Sequence, residues 1–467
     1  MINFTHLYLG IFSFFTSVLS ILNILYCYYF KLYLNIDNFI FIFIVSLLFG
    51  SVVFFNRKNI KKISIFQKIL TVILGYLAIP ILLSIPYYLI INNISFVDSY
   101  FEAISGFTST GFTVFNNIKH LDESLILWRS TSQWIGGIYF LFAIILLIDI
   151  FDDRIKNSLT NFISLNNLES FKQYIKIFIL YFCLTTFIFF SLNIINIRTF
   201  DSLNLSMTII SSGGFLPFNN LDIILNTNLK QIVFSLLMLF SFFSLFLTYN
   251  LLFVKKKNLN FFAEDIYLLI YLGLISVFFL IFLNFDYNFS LILFSITSSI
   301  SNIGISLSSV SGNLYIFFLI LVIIGGSYFS TSSGIRFVKL FALLKFSLNE
   351  ILSYTKPNYV FANKFQLFDR NVELKDIHKY FLTLITFVIS LFLLTILLTF
   401  SELNFENSFK VGILTLMNTT TSEMYGLSDL NFYELNLYTK LILIIFMAIG
   451  RFEIITLLII IKKFFFR

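Results

Sequence analysis

The stretch Asp98-Ser99-Tyr100-Phe101-Glu102-Ala103-Ile104-Ser105-Gly106-Phe107-Thr108-Ser109-Thr110-Gly111-Phe112 decides how the chain is to be read. It is apolar enough to lie at membrane depth, yet shorter than the about 20 helical residues needed to cross a ~30 Å hydrocarbon core. It ends in hydroxyl residues and a glycine. Three further segments repeat the pattern. Asp201-Ser202-Leu203 leads to Ile210-Ser211-Ser212-Gly213-Gly214-Phe215, with Asp201 and Gly214 at the same separation as Asp98 and Gly111. Segment 290–305 ends in Ser298-Ser299-Ile300-Ser301-Asn302-Ile303-Gly304, and segment 406–421 runs from Asn407-Ser408-Phe409 to Met417-Asn418-Thr419-Thr420-Thr421.

Around these short segments lie ten long apolar runs, near 7–30, 36–55, 66–91, 124–150, 171–197, 228–254, 263–284, 312–345, 376–400 and 434–462. Hydrophobic residues make up 58% of the 467, only 12% are charged, and the mean hydropathy is +0.92. Soluble domains carry roughly 25% charged residues, so the solvent of this chain is lipid. The first run lacks a basic leader and a small-residue cleavage site, and is read as a retained helix. Cys27 and Cys183 stand alone in apolar runs, and His6, His120 and His378 form no cluster, which argues against a disulfide framework, haem or zinc.

Irregular backbone at membrane depth is tolerated only where protein buries it or where it lines a watery cavity, because hydrocarbon offers unpaired N–H and C=O groups no partner. One Ser-Thr-Gly loop is an ordinary turn. Four in register around one axis line a pore, whose carbonyls replace an ion's hydration shell. Each short helix then aims its partially negative C-terminal end at the pore, which favours a cation.

Basic residues orient the bundle. With both termini placed inside, most of the 31 Lys+Arg fall on the cytoplasmic side, including Lys68, Arg154, Lys255–Lys257 and the run from Arg336 to Lys379. Asp98, Glu102, Asp201, Asp286, Glu402, Glu406 and Glu423 fall outside, where an acidic mouth concentrates cations.

At this point the residues resemble the Trk/Ktr/HKT superfamily of potassium transporters, from about residue 66 onward. Phe101 to Gly111 is similar to the family's first pore segment, Arg129-Ser130-Thr131-Ser132-Gln133-Trp134-Ile135-Gly136-Gly137 to the start of the helix after it, and Ser211 to Phe215 to the second filter. Two extra N-terminal helices point to the bacterial Trk-type membrane subunit. The resemblance implies an all-α integral membrane protein of four pseudo-symmetric helix–pore-helix–helix repeats around a central pore. Residues 1–60 are then the N-terminal two-helix extension, 61–160, 161–258, 259–346 and 376–467 the four repeats, and 347–375 a cytoplasmic basic linker.

The ion-binding residues expected from it are Thr110, Gly111, Ser212, Gly213, Gly214, Asn302, Ile303, Gly304, Thr419 and Thr420, with K+ held at Thr110, Gly111, Gly214, Gly304 and Thr420, chiefly by backbone carbonyls. Gly325-Gly326-Ser327-Tyr328-Phe329-Ser330-Thr331-Ser332-Ser333-Gly334 is too polar and glycine-rich to continue a helix. It resembles the family's intramembrane gate loop, with Gly325, Gly326, Ser330, Thr331, Ser332 and Gly334 as gate residues and Ser333 where the family more often has Gly. Arg451, an ionisable group within an apolar span, is a functional candidate by default. In the family its position is a pore-facing electrostatic barrier, here with Glu453 as an expected partner.

The resemblance further implies potassium uptake across the cell inner membrane, no bound cofactor, a homodimer, and gating by a cytosolic nucleotide-binding Trk-type regulatory subunit for which Lys345–Lys379 is a docking surface. No nucleic acid partner is expected. Thr420 stands where the family's fourth filter has Gly, and its branched Cβ resists a positive φ. That departure leaves a sodium-permeable or non-selective cation transporter as the alternative. A membrane-embedded transferase is disfavoured because no paired carboxylate, catalytic His or large site loop is found; Asp149, Asp152 and Asp153 read as a helix boundary.

Overall fold

The structure is a computed structural model that describes residues 3–55, 64–147, 167–245, 263–282, 288–307, 314–355, 366–367, 370–371, 374–401, 403–427, 430–452, 456 and 462. Among these lie fifteen α-helices and one two-residue antiparallel pair, Gln366–Leu367 with Arg370–Asn371. The chain is all-α.

Helices α1 (Asn3–Tyr29) and α2 (Ile36–Phe55) pack on each other and against the first repeat. Each repeat is a long helix, a short helix, a loop and a second helix. The first comprises α3 (Ile65–Ile90), α4 (Phe96–Phe107) and α5 (Glu123–Leu146), and the second α6 (Asn167–Ile194), α7 (Thr199–Ser211) and α8 (Asn228–Phe242). The third comprises α9 (Ala263–Phe282), α10 (Phe289–Ile300) and α11 (Tyr315–Ile324), followed by α12 (Phe337–Thr355). The fourth comprises α13 (Leu374–Thr399), α14 (Phe405–Leu416) and α15 (Leu437–Arg451). α1 (over Tyr8–Tyr29), α2, α3, α6 (over Tyr174–Ile194) and α13 are long and apolar enough to cross a membrane.

The second helix of each repeat packs on the short helix of the next: α5 on α7, α8 on α10, α11 on α14, and α15 back on α4. The repeats therefore follow one another around a central axis, and the first faces the third while the second faces the fourth. Glycines permit the tight crossings. A Cβ on Gly136 would lie 2.0 Å from Phe107 O, and one on Gly450 would lie 2.4 Å from Leu416 O, so α5 and α15 pass the C-terminal ends of α4 and α14 in the same way.

Two expected spans are interrupted. In the run expected over 228–254, α8 breaks after Phe242, where the freed carbonyls of its last turn are taken by the loop after α11: Ser332 N–H donates to Ser241 O at 3.1 Å and Ser327 N–H to Phe242 O at 3.0 Å, and Leu245 is helical again. In the run expected over 434–462, α15 ends at Arg451 and Phe452 is extended, while Thr456 and Lys462 beyond it are helical. Arg451 thus stands at the end of α15, at a break in the expected span. Glu453, Asp149, Asp152, Asp153, Asp286, Glu402, Arg154 and Lys255–Lys257 lie outside the described residues, as does part of the 345–379 segment.

Candidate ion pathway

All four short helices end in one backbone motif. Ser109, Ser212, Asn302 and Asn418 take left-handed φ values of 55°, 55°, 59° and 45°. The next residue in each loop donates its N–H five residues back, Thr110 to Ser105 O at 2.9 Å, Gly213 to Thr208 O at 2.9 Å, Ile303 to Ser298 O at 3.1 Å and Thr419 to Leu414 O at 2.9 Å. This is the Schellman ending, which satisfies helix-end carbonyls through a left-handed residue. It turns the chain toward the axis at the same point four times.

The left-handed residues also tie three of the loops to their neighbours. Ser212 Oγ donates to Ser301 O, Asn302 Nδ2 to Thr419 Oγ1 at 3.2 Å, and Asn418 Nδ2 to Thr110 Oγ1 at 2.9 Å. The structure so brings together the ion-binding residues expected from sequence, and every one of the ten is buried.

The loops then diverge. Ser105, Thr208 and Ser298 hydroxyls hold Phe112 O, Phe215 O and Ile305 O at 2.6, 2.8 and 2.6 Å. The corresponding residue of the fourth loop is Leu414, which has no hydroxyl. Gly111 and Gly304 turn through φ of +83° and +78°, while Gly214 and Thr420 lie outside the left-handed region. Opposite walls therefore match and adjacent ones do not. The expected conflict between Thr420's branched Cβ and a positive φ does not arise, because the fourth loop follows the geometry of the second. Its side chain is instead turned inward: Thr420 Oγ1 donates to Gly111 O at 2.8 Å.

Several residues that support the loops were missed as site residues from sequence. Arg129 and Glu102 form a fully buried ion pair at 2.8 Å. Glu102 accepts from Val114 N at 3.0 Å and Thr113 Oγ1 at 3.1 Å, while Arg129 Nη1 reaches Leu216 O at 3.3 Å and its guanidinium lies 4.1 Å from the Phe215 ring centroid. The pair thus joins the first loop to the second. Gln133, with its amide oxygen turned to the second loop, accepts from Gly214 N at 3.1 Å and Phe215 N at 2.9 Å. Both lie in stretches whose family resemblance was legible, but no spacing rule reveals that a charge on a short helix meets one on the following helix.

A cavity of about 470 Å³ opens at the loops on the side away from α15's C-terminus, lined in part by Gly111, Gly214, Thr420, Asp222 and Glu423. Among the described residues of the acidic mouth expected from sequence, three are paired at close range. Asp98 is held by Lys440 at 2.6 Å, Glu102 by Arg129, and Glu406 by Lys410 at 2.6 Å. Of the acidic residues expected at the mouth, Glu423 lines the cavity.

On the opposite side, the 325–334 loop folds back on itself at two left-handed glycines. Gly325 has φ +66° and Gly334 φ +88°, and a Cβ on Gly334 would lie 2.5 Å from Gly325 Cα. Thr331 Oγ1 donates to Ile210 O at 2.8 Å, and Ser330 and Ser332 hydroxyls share a hydrogen bond at 2.6 Å. Gly326 packs against Phe242 O.

Arg451 is buried where all four repeats meet. It belongs to the fourth, donates to Ser333 Oγ of the third and to Ser211 O of the second at 3.4 Å, and stacks at 4.1 Å over Phe140 of the first. A guanidinium contacting every repeat just beneath the second loop lies close to the shared axis. Ser333, the departure from the family's glycine, supplies its partner. Arg336 was not foreseen: its Nη1 donates to Ser327 O at 3.0 Å, Ser332 O at 2.7 Å and Ser330 Oγ at 3.3 Å, and it shares Phe140 with Arg451.

Four repeats, an axis ringed by buried carbonyls and hydroxyls, and a cationic constriction below it define the class of four-repeat, all-α cation-transporting membrane proteins. No protein-family model matches the chain. In sequence it is 26% identical to an uncharacterized cation transporter of Methanocaldococcus jannaschii, over 91% of this chain and 89% of the relative. It is 22% identical to the Trk system potassium uptake protein TrkH of Escherichia coli, over 91% of each chain, and 23% identical to TrkG of the same organism over 80% of each. The crystal structure of the potassium transporter TrkH from Vibrio parahaemolyticus has the same fold, with a TM-score of 0.86 at 19% identity, covering 100% of both chains. The Trk-type resemblance carried by Phe101–Gly111 and Ser211–Phe215 is thereby borne out along nearly the whole chain, and the relatives are transporters, not enzymes.

Proposed function

We propose that the chain takes up K+ across the cell inner membrane, passing it down its electrochemical gradient through the ring formed by Thr110–Gly111, Ser212–Gly214, Asn302–Gly304 and Thr419–Thr420. The observation that carries this reading is the fourfold Schellman ending, which turns four sets of backbone carbonyls toward one axis with four helix C-termini behind them. The 325–334 loop with Arg451 is the gate. A cation passing it meets a buried guanidinium, and the loop's bonds to Ile210 O and Ser241 O connect its position to the second repeat. The names of the Trk relatives support potassium as the cargo.

In this reading the assembly is a homodimer with a cytosolic nucleotide-binding regulatory subunit docked on the basic 345–379 segment, and both termini are cytoplasmic. The second reading, a sodium-permeable or non-selective transporter of the same fold, is favoured by one observation, Thr420 in the ring.

The test is ion flux in proteoliposomes holding this chain, comparing K+, Rb+, Na+ and Li+ gradients with Gly111→Asp as the blocked control. K+ and Rb+ flux lost in the variant supports potassium uptake. Equal Na+ flux selects the second reading, and absence of flux with and without the regulatory subunit rejects both.

A further inference from the structure

The position of Thr420 carries a step that rests on the proposed transport reading and sharpens it. The second and fourth loops lie across the axis from each other, yet a Cβ on Gly214 would be 2.3 Å from Thr420 Cβ, 2.7 Å from its Cγ2 and 2.9 Å from its Oγ1. A Cβ on Gly111 would be 2.9 Å from Thr420 Cβ. A side chain that touches the opposite wall and an adjacent one at once lies on the axis. The Thr420 carbonyl lies against the third loop, 2.7 Å from where a Cβ on Gly304 would stand. The Gly111 carbonyl already accepts the Thr420 hydroxyl at 2.8 Å. No left-handed strain at Thr420 forces this inward position.

We propose that the Thr420 side chain, rather than a fourth backbone carbonyl, is the ligand of the fourth wall at the ring facing the 470 Å³ cavity, and that it sets both rate and ion preference there. A cation entering from the cavity meets Oγ1 first. To reach Gly111 O it displaces the hydroxyl proton from that carbonyl, and rotation about χ1 then offers the ion a hydroxyl lone pair, since a threonine hydroxyl is one donor and two acceptors. β-branching makes that rotation stiff, so the exchange limits entry, and the methyl narrows the ring in favour of the smaller dehydrated ion.

The experiment uses the full-length chain, with variants Thr420→Gly, Thr420→Ser and Thr420→Val checked for monodispersity, and reads rubidium binding to purified protein beside flux in proteoliposomes. Thr420→Gly loses the hydroxyl but also clears the side chain from the axis, so that the Gly111 carbonyl and the main chain of the fourth wall are both free to the ion; it binds rubidium about fivefold more tightly, the equivalent of about 1 kcal/mol, conducts faster, and prefers K+ over Na+ more strongly. Thr420→Val keeps the bulk without a ligand, and binds and conducts worse than the native chain; Thr420→Ser, which keeps the hydroxyl without the methyl, falls between the native chain and Thr420→Gly. Native-like binding in Thr420→Val overturns the hydroxyl's role as ligand, and native-like binding in Thr420→Gly overturns the axial placement. Binding that follows the expected order with no flux of any cation rejects the transport reading while leaving the ring assignment in place; equal binding with robust flux does the reverse.

Discussion

In the first loop Ser105 Oγ holds Phe112 O, Gly111 turns at φ +83°, and the Glu102–Arg129 pair fixes Thr113 and Val114 from behind. The fourth loop begins with a left-handed residue at the same place, Asn418 for Ser109, and with the same five-residue backbone bond, but Leu414 replaces the pinning hydroxyl and Thr420 replaces the glycine. The main-chain ending of a short helix therefore survives loss of its side-chain support, because it is satisfied by the helix's own carbonyls. What changes is the chemistry presented at the axis.

The most damaging way to disturb this comparison is at Gly214, the residue that Thr420 lies against. Gly214→Val places a Cβ 2.3 Å from Thr420 Cβ and 2.7 Å from its Cγ2, with two methyls still to be accommodated beyond it. Rubidium uptake in cells lacking their own potassium uptake is expected to fall to background. Thr420→Gly added to Gly214→Val recovers part of it. Failure of the double variant to recover, with both proteins well folded, would show that the obstruction at Gly214 comes from elsewhere.

Next in size is the first loop's buried pair. Glu102→Gln leaves Arg129 charged and buried beside a neutral amide, and removing one partner of such a pair costs about 3–5 kcal/mol. A large drop in melting temperature in detergent is expected, with Glu102→Gln/Arg129→Met regaining part of it. An unchanged melting temperature would mean that Thr113 and Val114 are held by other bonds, and the first loop is no better supported than the fourth.

Sequence made the repeats legible because four polar, glycine-bearing endings fell between apolar runs at matching positions, a pattern that Schellman endings impose on the main chain. The ring residues Thr110–Gly111, Gly213–Gly214, Ile303–Gly304 and Thr419–Thr420 were legible for the same reason. Composition also marked the 325–334 break. What stayed hidden depended on contacts between repeats. Arg129 finds Glu102 across two helices, Arg336 finds carbonyls of a loop that folds back over it, and Asp98 finds Lys440 from the far end of the chain. The pairing of Asp98, Glu102 and Glu406 at the expected acidic mouth was hidden on the same account, since a count of charges does not show which of them are already paired.

Arg451 decides whether the ring or the constriction below it limits flux. Arg451→Ala removes a buried cation from the point where four repeats meet, and is expected to raise rubidium flux by about tenfold, equivalent to about 1.4 kcal/mol of barrier. Unchanged flux would transfer the limiting step to the ring, and the effect of Thr420→Gly would then be seen in full without a second substitution.

The finest difference between the loops is the hydroxyl pin, and Thr208→Val removes it from the second loop with little change of shape. Phe215 O then loses the Thr208 hydroxyl as donor, a change of about 1 kcal/mol, read as a small fall in melting temperature. Because Gly213 N–H remains bonded to Thr208 O and Gln133 still receives Gly214 N–H, the loop keeps its course and the K+ to Na+ flux ratio stays as in the native chain. A shifted ratio would instead make the pin part of what sets the ring's width, and the absence of a hydroxyl at Leu414 would then become a second reason, beside Thr420, why the fourth wall departs from the other three.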